Sequence, residues 1–275
     1  MAFPAYMTAT EKLAYVGLRV FVGLVLLFLI APIIAIMPLS FNSESFFSYP
    51  MPGYSLKWYE DFFFNDRWQG SLRMSIMVAL ATTCLATFLG TLAALGLSRS
   101  NIPGRAVLMA VLISPMIVPL IIAAVGMFLF YSRLNLAGTM LGLILAHTAL
   151  ATPCVVITVT ATLSGFDRTL MRAGASLGAP PPTVFYKVVM PLILPGMISG
   201  ALFAFVISFD ESVVVLFLAS AEQRTLPKQM FSGIREMISP TITAAATVLI
   251  IFSTLLLITV ELLRRRSERL RGITN

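Results

Sequence analysis

Three ionisable side chains stand in or beside long apolar runs of this chain: Asp210 and Glu211, directly after an uncharged stretch, and His147, the only histidine, within another. An ionisable group at membrane depth is costly, so it faces a bundle interior or an aqueous cavity. Successive positions on a helix diverge by about 100°, so the two acids cannot point along one line. The expected arrangement has Asp210 lining a path and pairing with a cation, while Glu211 touches a neighbouring helix or the lip of the cavity. A salt bridge from the pair to Arg224 or Lys228 is the competing reading. His147 joins them as a candidate path residue, and its simplest role is a hydrogen bond to a neighbouring helix. No Cys or acid lies near it in sequence with metal-ligand spacing, so no metal site is expected. The chain also lacks Gly-x-Ser-x-Gly, His-Glu-x-x-His and a phosphate-binding Gly-x-x-x-x-Gly-Lys loop, so no catalytic residue is expected either. The chemistry in view is the passage of a cation, with the energy supplied from elsewhere.

The elements that must position these groups are membrane helices. The 275 residues are 58% hydrophobic and 11% charged, with a mean hydropathy of +0.93, which excludes an ordinary water-soluble domain. The net charge of +7 lies beside apolar spans, so it is a topology signal and not a nucleic-acid surface. Cys84 and Cys154 both fall in apolar segments, where packing is the expected role. The first apolar run is longer than a signal-peptide core and lacks a clear cleavage site, so an uncleaved first span is expected.

A spanning helix needs roughly 20 apolar residues. Such runs predict an all-α, multi-pass protein: one domain over 1–275, with six spans at about 16–40, 73–98, 106–130, 139–163, 191–219 and 240–263. Twelve basic residues then fall on one side (Lys12, Arg19, Arg99, Arg105, Arg168, Arg172, Lys187 and the tail arginines 264, 265, 266, 269 and 271). Seven fall on the other (Lys57, Arg67, Arg73, Arg133, Arg224, Lys228 and Arg235), which places both termini in the cytoplasm. Pro115 and Pro119 distort the third span and Pro153 kinks the fourth. Gly196-x-x-x-Gly200 permits close helix approach in the fifth. If that span starts at Pro191 and runs unbroken, Asp210 lies roughly 28 Å along it. Tyr49, Tyr54, Trp58, Tyr59 and Trp68 between spans one and two suit an interfacial aromatic belt, with a landing surface for a partner as the alternative.

The longest cytoplasmic segment is the coupling loop at 164–190. A short helix at about 170–177 presents small residues, and Gly178 with the run Ala179-Pro180-Pro181-Pro182 ends it. Arg172-Ala173-Gly174, Gly178 and Val188-x-Met190-Pro191 resemble the cytoplasmic loop of ABC-importer permeases: Glu-Ala-Ala, three residues, Gly, nine residues, Ile, any residue, Leu-Pro. Arg172 stands in place of the Glu and Gly174 in place of the second Ala. The resemblance extends to Ser40-Phe41-Asn42, Ser114-Pro115, His147 with Pro153-x-Val155-Val156, Gly165-Phe166-Asp167 and the run Ser208-Phe209-Asp210-Glu211-Ser212-Val213-Val214-Val215.

Within that class the chain is most similar to spermidine/putrescine permeases of the C-type subunit. The resemblance implies a multi-pass protein of the bacterial inner membrane, surrounded by lipid. It implies pairing with a second homologous permease, two ATPase subunits that dock on Arg172, Ala173, Gly174, Gly178 and Pro191, and a periplasmic substrate-binding protein. The chain itself would bind no cofactor, since ATP is used by the partner subunits, and it would contact no nucleic acid. The implied cargo is a small organic cation, a polyamine first. The alternatives are an amino-acid-like compound, an aminophosphonate or ferric iron carried by the same class, or a secondary transporter.

Overall fold

The structure is a computed structural model that describes residues 8–98, 102–167, 169–236 and 239–270. Arg99, Arg168 and Arg271, which the charge count used, lie outside the described residues. The order is α1 (Ala9–Leu39), α2 (Lys57–Phe64), α3 (Asp66–Leu97), α4 (Arg105–Ile117), α5 (Leu120–Arg133), α6 (Met140–Ser164) and α7 (Thr169–Ser176). Then follow α8 (Pro181–Val184), a π turn (Phe185–Val189), α9 (Met190–Asp210), α10 (Val213–Leu218), α11 (Leu226–Glu236) and α12 (Pro240–Leu270). Among the described residues five helices are long and apolar enough to cross a membrane, or six if the bent pair α4 and α5 is one span.

The centre of the bundle is α3, α6 and α9, and glycine lets them approach. A Cβ at Gly90 would stand 2.7 Å from Val155 Cβ. At Gly196 it would stand 2.2 Å from Thr162 Oγ1, and at Gly200 3.0 Å from Val155 Cα. Ala86, Ala151, Val155, Val159, Ile193 and Ala204 fill the seam between these contacts. The Gly196/Gly200 spacing therefore marks a real helix contact, made with α6 of the same chain. Gly200→Val should destabilise the bundle by about 1–3 kcal/mol, the usual cost of overpacking a filled core. Gly96→Val, with no atom within 4 Å of its Cβ position, should be tolerated, and the melting temperatures of the two purified variants check the contrast.

The third span is not the single helix expected at 106–130: α4 and α5 meet at 104° across Val118-Pro119. The local chemistry is legible in hindsight. Pro115 has no amide to give Val111, and the Ser114 hydroxyl bonds that carbonyl instead at 2.8 Å. Pro119 then bars the residue before it from helical geometry, and Val118 is extended.

The fifth span also departs from expectation at both ends. The prolines that end the coupling helix also start the next one, a position where a missing amide costs nothing. The helix thus runs 30 residues, Pro181–Asp210, and 181–190 belong to it and not to the loop. Pro191 has no amide to bond Lys187, and just there the ladder slips into the π turn, with Met190 N–H bonding Phe185 O. The far end stops at Asp210 instead of continuing to 219.

Between α1 and α3 the expected belt of five aromatic rings is divided. Trp68 is buried against Phe62, Trp58 Nε1 donates to Asn42 O at 2.7 Å, and Tyr59 Oη shares a 2.7 Å hydrogen bond with Ser40 Oγ. Tyr49 and Tyr54 remain turned outward, 70% and 81% exposed. Three of the five rings therefore hold the loop together.

Candidate functional site

The break after Asp210 gives the two neighbouring acids different work. α9 ends at Asp210, and Glu211 leaves helical geometry as the chain turns into α10. The Glu211 carboxylate is buried and accepts the amide of Val214 at 2.8 Å, which satisfies an otherwise orphaned donor in the first turn of α10. Asp210 is exposed on this chain. It stands where the last carbonyls of α9 gather partial negative charge. Among the described residues no ion pair joins either acid to Arg224 or Lys228. Arg224 donates to Ala221 O, and Lys228 Nζ donates to Ala219 O at 3.1 Å and Ser220 O at 2.9 Å. The salt-bridge reading therefore gives way to a short helix with an acid at its amide end, followed by an extended turn whose carbonyls hold the Lys228 ammonium. The acid at the amide end is worth about 0.3–1 kcal/mol.

His147 lies at 1% exposure inside the bundle, where its Nδ1 and Ser208 Oγ share a 2.9 Å hydrogen bond. This is a link between α6 and α9, two residues before Asp210, so His147 does not open onto a path in this conformation. Glu211→Ala should lose the cap of α10 and cost about 0.5–2 kcal/mol, read as a lowered melting temperature. Glu211→Gln keeps an acceptor for the Val214 amide and should be nearly silent. Sequence reasoning missed Lys228 as the partner of the Ala219 and Ser220 carbonyls and Ser208 as the partner of His147. Both contacts join separate helices or loops, and neither has a local signature.

The second candidate surface is the coupling segment. Asp167 starts α7: its carboxylate accepts Thr169 N–H at 2.9 Å and Thr169 Oγ1 at 2.7 Å, and these bonds, with Arg172 nearby, hold it below the usual carboxylate range. Gly178 ends the element at φ +77°, and Ala179 N–H returns to Gly174 O at 3.1 Å. Gly174 faces inward, since a Cβ there would stand 3.1 Å from Val184 Cγ2. Arg172, Ala173 and Gly178 are exposed, as is Leu177 at 88%. Pro191 belongs to the fifth span and stands apart from the turn. The five residues expected to dock an ATPase are thus divided, with Gly174 setting how closely α7 lies on its own chain. Met171 and Ala175 roof an apolar cavity of about 530 Å³ over Leu95, Leu163 and Phe185.

Residues 86–271 match the family described as binding-protein-dependent transport system inner membrane component. The chain belongs to that family. As such a component it is a multi-pass protein of the inner membrane and not an enzyme, and the match covers the end of α3, all of α6 and α9, the coupling segment and the Asp210 break. The spermidine/putrescine transport system permease protein PotC of Haemophilus influenzae is 32% identical over 248 residues, 90% of this chain and 96% of that one. The putrescine transport system permease protein PotI of Escherichia coli is 31% identical over 230 residues, 81% of this chain and 82% of that one. Among solved structures, a bacterial ABC transporter involved in import of the acidic polysaccharide alginate contains a chain with the same fold. Its TM-score is 0.74 and its identity 16%, and the match covers 94% of this chain and 99% of that one.

Proposed function

We propose that this inner membrane component forms, with a second homologous permease, the path by which an ATP-driven importer carries a polyamine such as putrescine or spermidine. The observation that carries the cargo is Asp210: an exposed carboxylate at the carbonyl end of α9, with Lys228 and Arg224 engaged elsewhere. An exposed acid attracts an ammonium group without burying it, so the cation enters and still leaves. The names of the two relatives point to the same cargo.

The partners follow from surfaces this chain leaves open. None of the apolar window of α1 is buried, which suits a helix laid against the second permease and lipid. Arg172, Ala173, Leu177 and Gly178 form the face offered to one of two ATPase subunits, and a periplasmic binding protein delivers the cargo to the opposite side. Both termini lie with the ATPases in the cytoplasm. ATP-driven closure of the ATPase pair would push α7 and, through the Gly174 and Val184 contact, the start of the long fifth helix.

Purification through a tag on this chain tests the proposal. The ATPase and a second permease should come down with it, and in proteoliposomes the binding protein loaded with putrescine should stimulate ATP hydrolysis. Stimulation by an amino-acid-loaded binding protein and none by putrescine would keep the importer and reject the cargo.

A further inference from the structure

We propose that His147 is a positioning residue for transport: through Ser208 it fixes the rotation of the last turn of α9 and so holds Asp210 toward the cargo. The inference rests on the reading of Asp210 as the contact for an amine. Gly196, Gly200, Ala204 and Ser208 recur at every fourth position, so they share one face of α9, and all four are buried. The two glycines close on α6 at Thr162, Thr158 and Val155, and Ser208 stands at the end of the same face. Thr158 and Thr162 turn their hydroxyls back onto carbonyls of α6 itself, whereas His147 reaches across, its Nδ1 and Ser208 Oγ sharing the 2.9 Å bond. Nε2 of the ring is buried and has no partner among the described residues, so the bond to Ser208 is what orients the imidazole.

The contacts of the last turn decide where Asp210 points. Successive positions on a helix are turned by about 100°, so four residues in a row go round most of it. Ile207 packs on the two apolar clusters built around α6, and Ser208 meets His147. Phe209 is buried, with its ring 5.4 Å from that of Phe252 on α12. Asp210 takes the side that these three leave free, and it is exposed. Beyond the break, Val214, Val215 and Leu218 of α10 pack in one cluster with Leu143, Ala146 and Leu150, which flank His147 on one face of α6. One helix therefore holds the chain on both sides of Asp210, by a hydrogen bond before it and by apolar packing after it. Apolar packing is non-directional and a hydrogen bond is not, so the His147–Ser208 pair is the contact that sets the angle.

The test is a double-mutant cycle on the assembled transporter, read as the initial rate of labelled putrescine uptake per amount of transporter in the membrane. Ser208→Ala removes only the hydroxyl and should cut uptake about two- to tenfold. In the Asp210→Asn background the same change should cut it less than about 1.5-fold, because the group it misdirects has already lost its charge. Equal factors in the two backgrounds, as a merely structural bond would give, would overturn the positioning role, and so would normal uptake in Ser208→Ala alone. At His147 the conservative variant supplies the rescue. His147→Asn keeps a polar atom where Nδ1 lies and gives up only the unpartnered Nε2, so it should recover most of the uptake that His147→Leu loses. Equal losses in the Asn and Leu variants would also overturn it. Asp210→Asn alone separates the two levels: if its uptake is normal, the reading of Asp210 fails and the positioning role with it, and if its uptake is lost while the factors multiply, only the positioning role fails.

Discussion

Asp210→Asn should cut polyamine uptake by about tenfold or more while the assembled transporter accumulates normally. The size follows from the roughly 1.5–3 kcal/mol attached to a hydrogen bond with a charged partner. Normal assembly follows from the exposure of Asp210, whose side chain makes no hydrogen bond or ion pair among the described residues. The neighbouring acid supplies the control. Glu211→Gln keeps the acceptor that caps α10 and should transport nearly as well, although it removes a charge one residue away. Initial uptake rates of labelled putrescine, normalised to membrane protein, decide the matter. Equal losses in the two variants would mean that the charge of the pair acts as a unit and that Asp210 has no particular contact with cargo.

A second large effect is expected at the coupling turn. Gly178 sits at φ +77°, where a side chain costs about 1–2 kcal/mol, and no atom of this chain lies within 4 Å of its Cβ position. An added ring therefore projects off the chain into whatever sits on the turn. Gly178→Trp should abolish uptake and either release the ATPase or leave it hydrolysing ATP without transport. Gly178→Asn, a residue that tolerates left-handed backbone, should behave almost normally. Co-purified ATPase and coupled hydrolysis in the Trp variant would show that the turn is not the docking surface.

The membrane helices were legible in the sequence because hydropathy over 20 residues is a strong signal, and the coupling helix because Gly178 and the prolines punctuate it. The same prolines concealed the start of the fifth span. Pro181 reads as a terminator from one side and is a first-turn residue from the other, and only the fold chooses. Pro115 and Pro119 announced a distorted third span, but the 104° angle depends on what α5 packs against, which is α10 in part. The candidate site was half legible. An acid pair after an apolar run marked the place, and the division of labour between Asp210 and Glu211 depended on where α9 stopped. His147 was readable as an interhelical hydrogen bond, but Ser208, 61 residues away, was not nameable from local pattern.

The central claim is that this chain completes the path of a polyamine importer, and uptake of labelled putrescine and spermidine in cells with and without it tests that claim most directly. In a background free of other polyamine importers, deletion should abolish energy-dependent uptake, and the intact chain should restore it while Asp210→Asn restores little. Undiminished polyamine uptake in the deletion strain would contradict the account of the cargo.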